Sequence, residues 1–245
     1  MIPVAEALER LFALVRPVGA ETVPLREAVG RVLAEPVVAR RDQPPFAASA
    51  MDGYAIRTAD LTAGARLRIV GESAAGQGYS GSLGAGETVR IFTGAPVPEG
   101  ADRVILQEDV TREGDVAIPG PEAGQSVNIR PLGADFRVGD RLEAPRPLTP
   151  ADIALIAAMN HAEVRVARRP EVAILATGDE LVAPGEDPGP DQIVASNSYG
   201  LAAMMAQAGA LPRLLPIAPD DMAALATAFE LAQGADLILT IGGAS

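Results

Sequence analysis

Three short stretches of this chain combine acids, hydroxyls and glycines in a way suited to a phosphorylated ligand. They are Thr177, Gly178, Asp179 and Glu180; Asp220 with Asp221; and Gly242, Gly243, Ala244 and Ser245. Glycines let backbone N–H groups come close to a phosphate or another oxyanion, and Ser245 adds a hydroxyl donor. Ser196, Asn197 and Ser198 stand at the mouth of a predicted helix, where outward-pointing N–H groups favour an anion. The carboxylates of Glu180, Asp220 and Asp221 would repel such a ligand unless a hard cation stands between them. An all-oxygen set without His or Cys suits Mg2+. Each cluster also has a plainer use: Asp220 and Asp221 as helix caps, Asp179 in a turn, Gly242 and Gly243 as a turn. Only their gathering in space favours the ligand.

That gathering depends on the elements that carry them. After Pro170 the apolar pattern reads strand Val172 to Thr177, helix from about Ser198 to Ala208 closed by Gly209, and strand Arg213 to Ile217. A helix from Met222 to Gln233 and a strand from Leu237 to Ile241 follow. This is a βαβαβ series. Near-continuous apolar strands imply a parallel sheet covered on both faces, and right-handed crossovers make it an open, doubly wound one. Ligands of such sheets bind outside the carboxyl ends of the strands, and each cluster directly follows a strand. The topology therefore predicts one shared rim.

The rest of the chain has a different texture. Val4, Leu8, Leu11, Phe12 and Val15 lie at helical spacing between Pro3 and Pro17, and a second helical pattern runs from Arg26 to Ala34. From Met51 to about Asn128, short β-type runs alternate with glycine-rich turns: Leu67 to Val70, Thr88 to Thr93, Arg103 to Leu106 and Val116 to Ile118. Thr149, Pro150 and Asp152 announce a helix reaching about Met159, and Glu163 to Ala167 reads as a strand. Within the β-rich part, Asp52 precedes Gly53, Thr93 precedes Gly94 at a strand end, and Arg130 and Asp135 flank a turn. Local chemistry alone favours a structural over a catalytic role for each of these. His161, the single histidine, is expected to be exposed at a helix end.

Composition removes several function classes. Lys plus Arg is 20 and Asp plus Glu is 32, a formal charge of −12 over 245 residues. That disfavours a sequence-independent grip on a phosphate backbone, and 3% aromatics with no Trp leave few platforms for stacking bases, so no nucleic-acid partner is expected. No Cys means no disulfide, thiolate metal site or cysteine nucleophile. No apolar run reaches the roughly 18 residues of a membrane span, and Glu6 and Glu9 stand where a signal peptide carries positive charge. The cytoplasm is the expected compartment, with no membrane partner.

The strings SAMDGYA, TGAPVPEGAD, NIRPLGADF, TGDELV followed by PG, SNSYGLAAM and GGAS occur in this order along the chain. In this respect the sequence resembles the MoeA-type molybdopterin molybdenumtransferases, the molybdenum insertases that also form the E domain of gephyrin. The resemblance covers essentially the whole chain. It implies a multidomain α/β and β protein: an elongated linker and dimerisation domain of residues 1–46 and 130–168, an inserted β domain of 47–129, and an incomplete molybdopterin-binding α/β domain of 169–245. It implies continuation beyond Ser245 with a glycine and acidic motif, the rest of the sheet and a last β domain.

The implied reaction takes adenylylated molybdopterin and molybdate, cleaves the adenylate in a divalent-metal-dependent step, and places molybdenum on the dithiolene sulfurs with release of AMP. The thiolates belong to the pterin, so a chain without cysteine is adequate. By matching motif, the sensitive acids and hydroxyl are Asp52, Thr93, Asp135, Glu180 and Asp221, with Asp220 the rival for the last position. Glu180, Asp220 and Asp221 would handle Mg2+ or protons. Gly178, Asp179, Ser196, Asn197, Ser198, Gly242, Gly243 and Ser245 would hold the pterin and its phosphate. The family's homodimer would bring Asp52 to the α/β domain of the partner subunit. The chain departs from the family's usual pattern at Ala47 and Ala48 before SAMD and at Ala244 within GGAS. Two other readings remain: a nucleotide or pyrophosphate hydrolase of the competence-damage type, against which SAMDGYA argues, and a non-enzymatic scaffold.

Overall fold

The computed structural model describes residues 2–242. The chain divides into two compact units: one of residues 1–36, 143–153 and 162–245, the other of residues 37–142 and 154–161.

The first unit opens with helix α1, Val4–Leu14, which forms where the periodicity predicts it. None of its residues is buried, and Val4, Leu8, Leu11 and Phe12 all stay exposed. The helix expected over Arg26 to Ala34 is not formed. A single 3-10 turn, Leu25–Glu27, is followed by Gly30 in the left-handed region and the strand Val32–Leu33. Leu33 pairs with Val166 and is fully buried, so burial in a sheet outweighs a weak helical pattern rich in β-branched valines. That sheet has the order Ala20–Pro24, Glu163–Ala167, Val32–Leu33, Arg146–Pro147.

Helix α2, Pro150–Ala158, starts at a reciprocal cap. Asp152 accepts from the Thr149 N–H (2.9 Å) and hydroxyl (2.7 Å), and its own N–H donates to Thr149 Oγ1 (3.2 Å). The Thr149 backbone bond, its hydroxyl and the Arg146 charge hold the Asp152 carboxyl below its ordinary value.

The parallel sheet places strand Glu171–Ala176 between Leu211–Leu214 and Leu237–Ile241, with both neighbours parallel to it. Helix α3, Ser196–Gln207, lays Leu201 and Met205 over Val172 and Ile174. Helix α4, Met222–Leu231, brings Leu225 and Ala228 to Leu175 and Ala218. Positions 172 and 174 therefore face one helix and 175 the other, the alternation a strand demands of a sheet covered on both sides. Burying each of Val172, Ile174 and Leu175 is worth about 1.5–3 kcal/mol.

The second unit is built on a six-stranded sheet in the order Arg103–Leu106, Gly53–Ile56, Glu87–Ile91, Leu67–Ser73, Val116–Pro119, Val110–Glu113. Two of these strands, Gly53–Ile56 and Val110–Glu113, do not stand out in the sequence pattern. Gly53 is glycine for a steric reason: any side chain there would collide with the carbonyl oxygen of Ile105 and lie 2.9 Å from its carbon. Ala55, Val89, Ile91 and Val104 fill one apolar cluster of this unit, and Tyr54, Ile56, Leu67 and Ile105 another. His161 differs from its expected exposure. It is half-buried with Nε2 2.8 Å from the Val38 carbonyl oxygen. Among the described residues, no helix is long and apolar enough to cross a membrane.

Candidate functional site

The three strand-end clusters meet. The Thr177 N–H donates to Ile241 O (2.9 Å), the Gly178 N–H to Ala218 O (3.1 Å), and the Asp220 N–H to a carboxylate oxygen of Asp179 (3.2 Å). The loop after the central strand is thus stitched to the loops after both neighbours. Glycine is required at two of these places. Gly178 (φ 145°) and Gly242 (φ 143°) adopt a backbone closed to side chains, and a Cβ at 242 would strike Thr177 Oγ1 and sit 2.7 Å from its carbonyl oxygen. Gly243 and Ser245, the remaining members of the third cluster, lie outside the described residues.

A cleft of about 490 Å3 opens beside this rim, with Gly178, Asp179, Val182, Ser198, Tyr199 and Pro216 among its walls. A smaller hollow of about 90 Å3 is lined by Ile193, Ser196, Asn197, Ser198 and Ile241 at the start of α3. Ala195 at the N-cap has no side chain able to accept, so no cap bond closes this end of α3. Ser196 and Asn197 are exposed, while Ser198 is buried with its hydroxyl 3.3 Å from Ala195 O. Uncapped N–H groups beside two hydroxyls and a glycine-rich rim suit an anionic group.

The acids of the rim differ in what they do. Asp221 takes the N–H groups of Ala223 and Ala224 on one carboxylate oxygen, both at 2.9 Å, and so is the N-cap of α4. This is the plainer use that the sequence left open. Asp179 is tied to Asp220 as above. The exposed Glu180 makes no ion pair among the described residues, and its backbone carbonyl accepts from Ile193 (2.7 Å). No three His, Cys, Asp or Glu side chains gather to hold a metal ion among the described residues. Glu180, Asp220 and Asp221 therefore do not form a cation site by themselves.

The remaining predicted residues sit in the second unit. One oxygen of Asp52 accepts both the N–H and the hydroxyl of Thr93, each at 2.7 Å, and the bonds from Thr93, helped by the Arg90 charge, hold this carboxyl below its ordinary value. Asp135 pairs with Arg130 Nη2 at 2.6 Å. Strand Ile129–Arg130 pairs with Ala48–Ser49, and the Gly94 N–H donates to Ser49 O (2.8 Å), so the SAMDGYA, TGAP and NIRP segments join in one place. Sequence reasoning did not single out Tyr199, a wall of the cleft, nor Arg90, which neighbours Asp52. Tyr199 lies inside the string SNSYGLAAM and Arg90 three residues before TGAPVPEGAD, but nothing in the strings shows which residues face the site.

Two family models match the chain. One, described as the MoeA N-terminal region (domain I and II), covers residues 2–160. The chain belongs to the MoeA family. The other, described as a probable molybdopterin binding domain, covers residues 173–245 and coincides with the parallel sheet. Among curated MoeA-family relatives, the molybdopterin molybdenumtransferase of Haemophilus influenzae is 38% identical over 94% of this chain and 57% of its own length. That of Nostoc is 40% identical over 92% of this chain and 53% of its own. The chain thus spans little more than half the length of these relatives. The crystal structure of the Pyrococcus horikoshii molybdopterin biosynthesis MoeA protein superposes with a TM-score of 0.90 at 35% identity, covering 99% of this chain and 67% of that one.

Proposed function

We propose that this chain carries the nucleotide-seating part of a molybdopterin molybdenumtransferase, acting in molybdenum cofactor biosynthesis on adenylylated molybdopterin and molybdate with release of AMP. The observation that carries this reading is the stitching of the Thr177–Glu180, Asp220–Asp221 and Gly242 loops into one rim beside the open end of α3. In this reading the first-turn N–H groups of α3, with Ser196 and Ser198, hold the phosphates. Gly178 and Gly242 let the backbone close on the ligand, and Glu180 takes a proton from the water that attacks the adenylyl phosphorus. The bond from that phosphorus to the bridging oxygen breaks, AMP leaves with the water oxygen, and the phosphate stays on molybdopterin. By motif alone, Gly243 and Ser245 are assigned to the same phosphate. Mg2+ is commonly held by one or two carboxylates together with substrate phosphates. The carboxylates here would therefore serve it only with oxygens brought by the ligand.

Asp52, Thr93 and Asp135 act from the inserted β domain, residues 47–129, and the turn that follows it. In this reading a homodimer presents Asp52 to the partner's rim. The three-domain division, with 1–46 and 130–168 as the dimerisation domain, and a cytoplasmic location belong to the same proposal.

The test replaces the matching segment of a full-length MoeA relative by this chain and introduces Asp52→Ala or Glu180→Ala. Loss of molybdate-dependent AMP release, with thermal stability little changed, is expected for both. Unimpaired molybdenum insertion by both, or pyrophosphate cleavage that needs no pterin, would overturn the reading.

A further inference from the structure

Arg90 is held in a way that a purely structural arginine does not require. It lies in the Glu87–Ile91 strand directly opposite Tyr54, with its guanidinium carbon 5.2 Å from the Tyr54 ring centroid and 4.6 Å from that of Phe92. Stacking against two rings sets the plane of the guanidinium. Nη1 then donates to Gly53 O (2.7 Å) and Nη2 to Gln107 Oε1 (2.5 Å). Gln107 is itself oriented, because its side-chain N–H2 donates to Glu108 (3.1 Å) and its backbone N–H to the Asp52 carbonyl (3.1 Å). The carbonyl of Asp52 and that of the next residue, Gly53, are therefore both tied to one planar fork, the first through Gln107 and the second directly.

The side chain of Asp52 is fixed at only one oxygen. Both Thr93 donors reach Oδ1, and Oδ2 has no hydrogen-bond partner among the described residues. The direction of that second oxygen thus follows from the backbone that Arg90 clamps. Arg90 also forms no ion pair with any carboxylate among the described residues, since its acceptors are two carbonyls and an amide. Its charge is left to act on Asp52 and on whatever approaches it.

The same unit contains a comparison. Asp102 accepts the N–H and hydroxyl of Thr58 (2.7 and 2.8 Å) in the same doubly bonded manner. There the nearby Arg103 donates to Thr58 Oγ1 itself and to the Gly124 and Ser126 carbonyls, closing a structural knot with no clamp on the backbone around the aspartate.

We propose that Arg90 is a positioning residue for Asp52, directing its free carboxylate oxygen through the Gly53 and Gln107 contacts and supplying an unpaired positive charge beside it. The functional meaning rests on Asp52 acting in the proposed reaction, whereas the positioning does not.

The test uses the whole chain with Arg90→Gln and Arg90→Lys. The carboxyl titration of Asp52 and the amide hydrogen exchange of Thr93 are read by NMR, with Asp102 and Thr58 as the internal reference. Glutamine should move the Asp52 midpoint upward and speed Thr93 exchange about tenfold, leaving Asp102 and Thr58 unmoved. Lysine, a charge without a planar fork, should restore the midpoint but not the protection. Unchanged Asp52 and Thr93 in the glutamine variant, equal movement at Asp102 and Thr58, or complete rescue by lysine would each overturn the proposal. Unimpaired insertion by Asp52→Ala would instead sink the functional reading and leave the NMR result standing.

Discussion

Replacing Gly53 by alanine should prise apart the two strands beneath Asp52. The added methyl would collide with the carbonyl oxygen of Ile105, lie 2.9 Å from its carbon and 3.3 Å from the Leu106 Cα. All three atoms are main chain, so no rotamer change relieves the contact. Carbon atoms pack at about 3.5–4.0 Å, and the Arg103–Leu106 strand must withdraw from Gly53–Ile56 to restore that distance. The displaced strand carries Val104 and Ile105, both fully buried. Overpacking a tight interior costs about 1–3 kcal/mol, and one or two strained ladder hydrogen bonds add about 1 kcal/mol each. The β-rich unit should therefore lose about 2–5 kcal/mol. Because the chain has two units, one melting temperature is a poor measure, and native-state hydrogen exchange resolves the effect residue by residue. Amides of the six-stranded sheet should lose protection by that amount, and those of Val172 to Ala176 should keep theirs. A change below about 0.5 kcal/mol, or an equal loss in the parallel sheet, would refute the steric argument.

Two further outcomes follow from the same kind of reasoning. Gly178→Ala meets only the flexible carboxylate of Glu180, so its cost should be the backbone strain of a φ near 145°, about 1–3 kcal/mol. Amide shifts should change from Thr177 to Val182, where the variant pushes Glu180 off its place, and an unaltered Glu180 environment would contradict it. Asp236 is lowered from 3.8 to about 2, first by its side-chain bonds to Arg168 (2.6 and 2.9 Å) and then by the Glu171 N–H (2.7 Å). A depressed folded value means that its stabilisation is complete above the unfolded value of 3.8 and lost as pH falls through about 2. Urea midpoints of wild type and Asp236→Asn should thus differ at neutral pH and converge near pH 2, and a gap that widens on acidification would reverse the sign of the argument.

Periodicity located the elements whose burial is simple. The strands Arg103–Leu106, Glu163–Ala167 and Leu237–Ile241 lie where apolar alternation or apolar runs put them, and α1, α2 and α4 begin at the proline and acidic signals that mark helix starts. It failed where a tertiary partner decided. Gly53–Ile56 is a central strand that opens on a glycine, and glycine is a poor strand former unless a neighbouring backbone comes too close for a side chain. Leu33 belongs to a sheet because Val166, more than 130 positions away, is there to pair with it.

The candidate site divides in the same way. Which residues carry acids, hydroxyls and glycines, and that each cluster follows a strand, were properties of the sequence, because residue type and strand period are local. Whether an acid is a cap or a free group depends on what lies within about 3 Å of it, and that is not local. Asp221 holds the N–H groups of α4, while Glu180 has no ion-pair partner among the described residues. The junction of Gly178 with Ala218, and of Thr177 with Ile241, exists only because two parallel crossovers return the chain to the same sheet edge. Arg90 shows the limit most clearly: its type and its place just before TGAPVPEGAD are plain in the sequence, but the Tyr54 ring and the Gly53 and Gln107 acceptors are brought to it by folding.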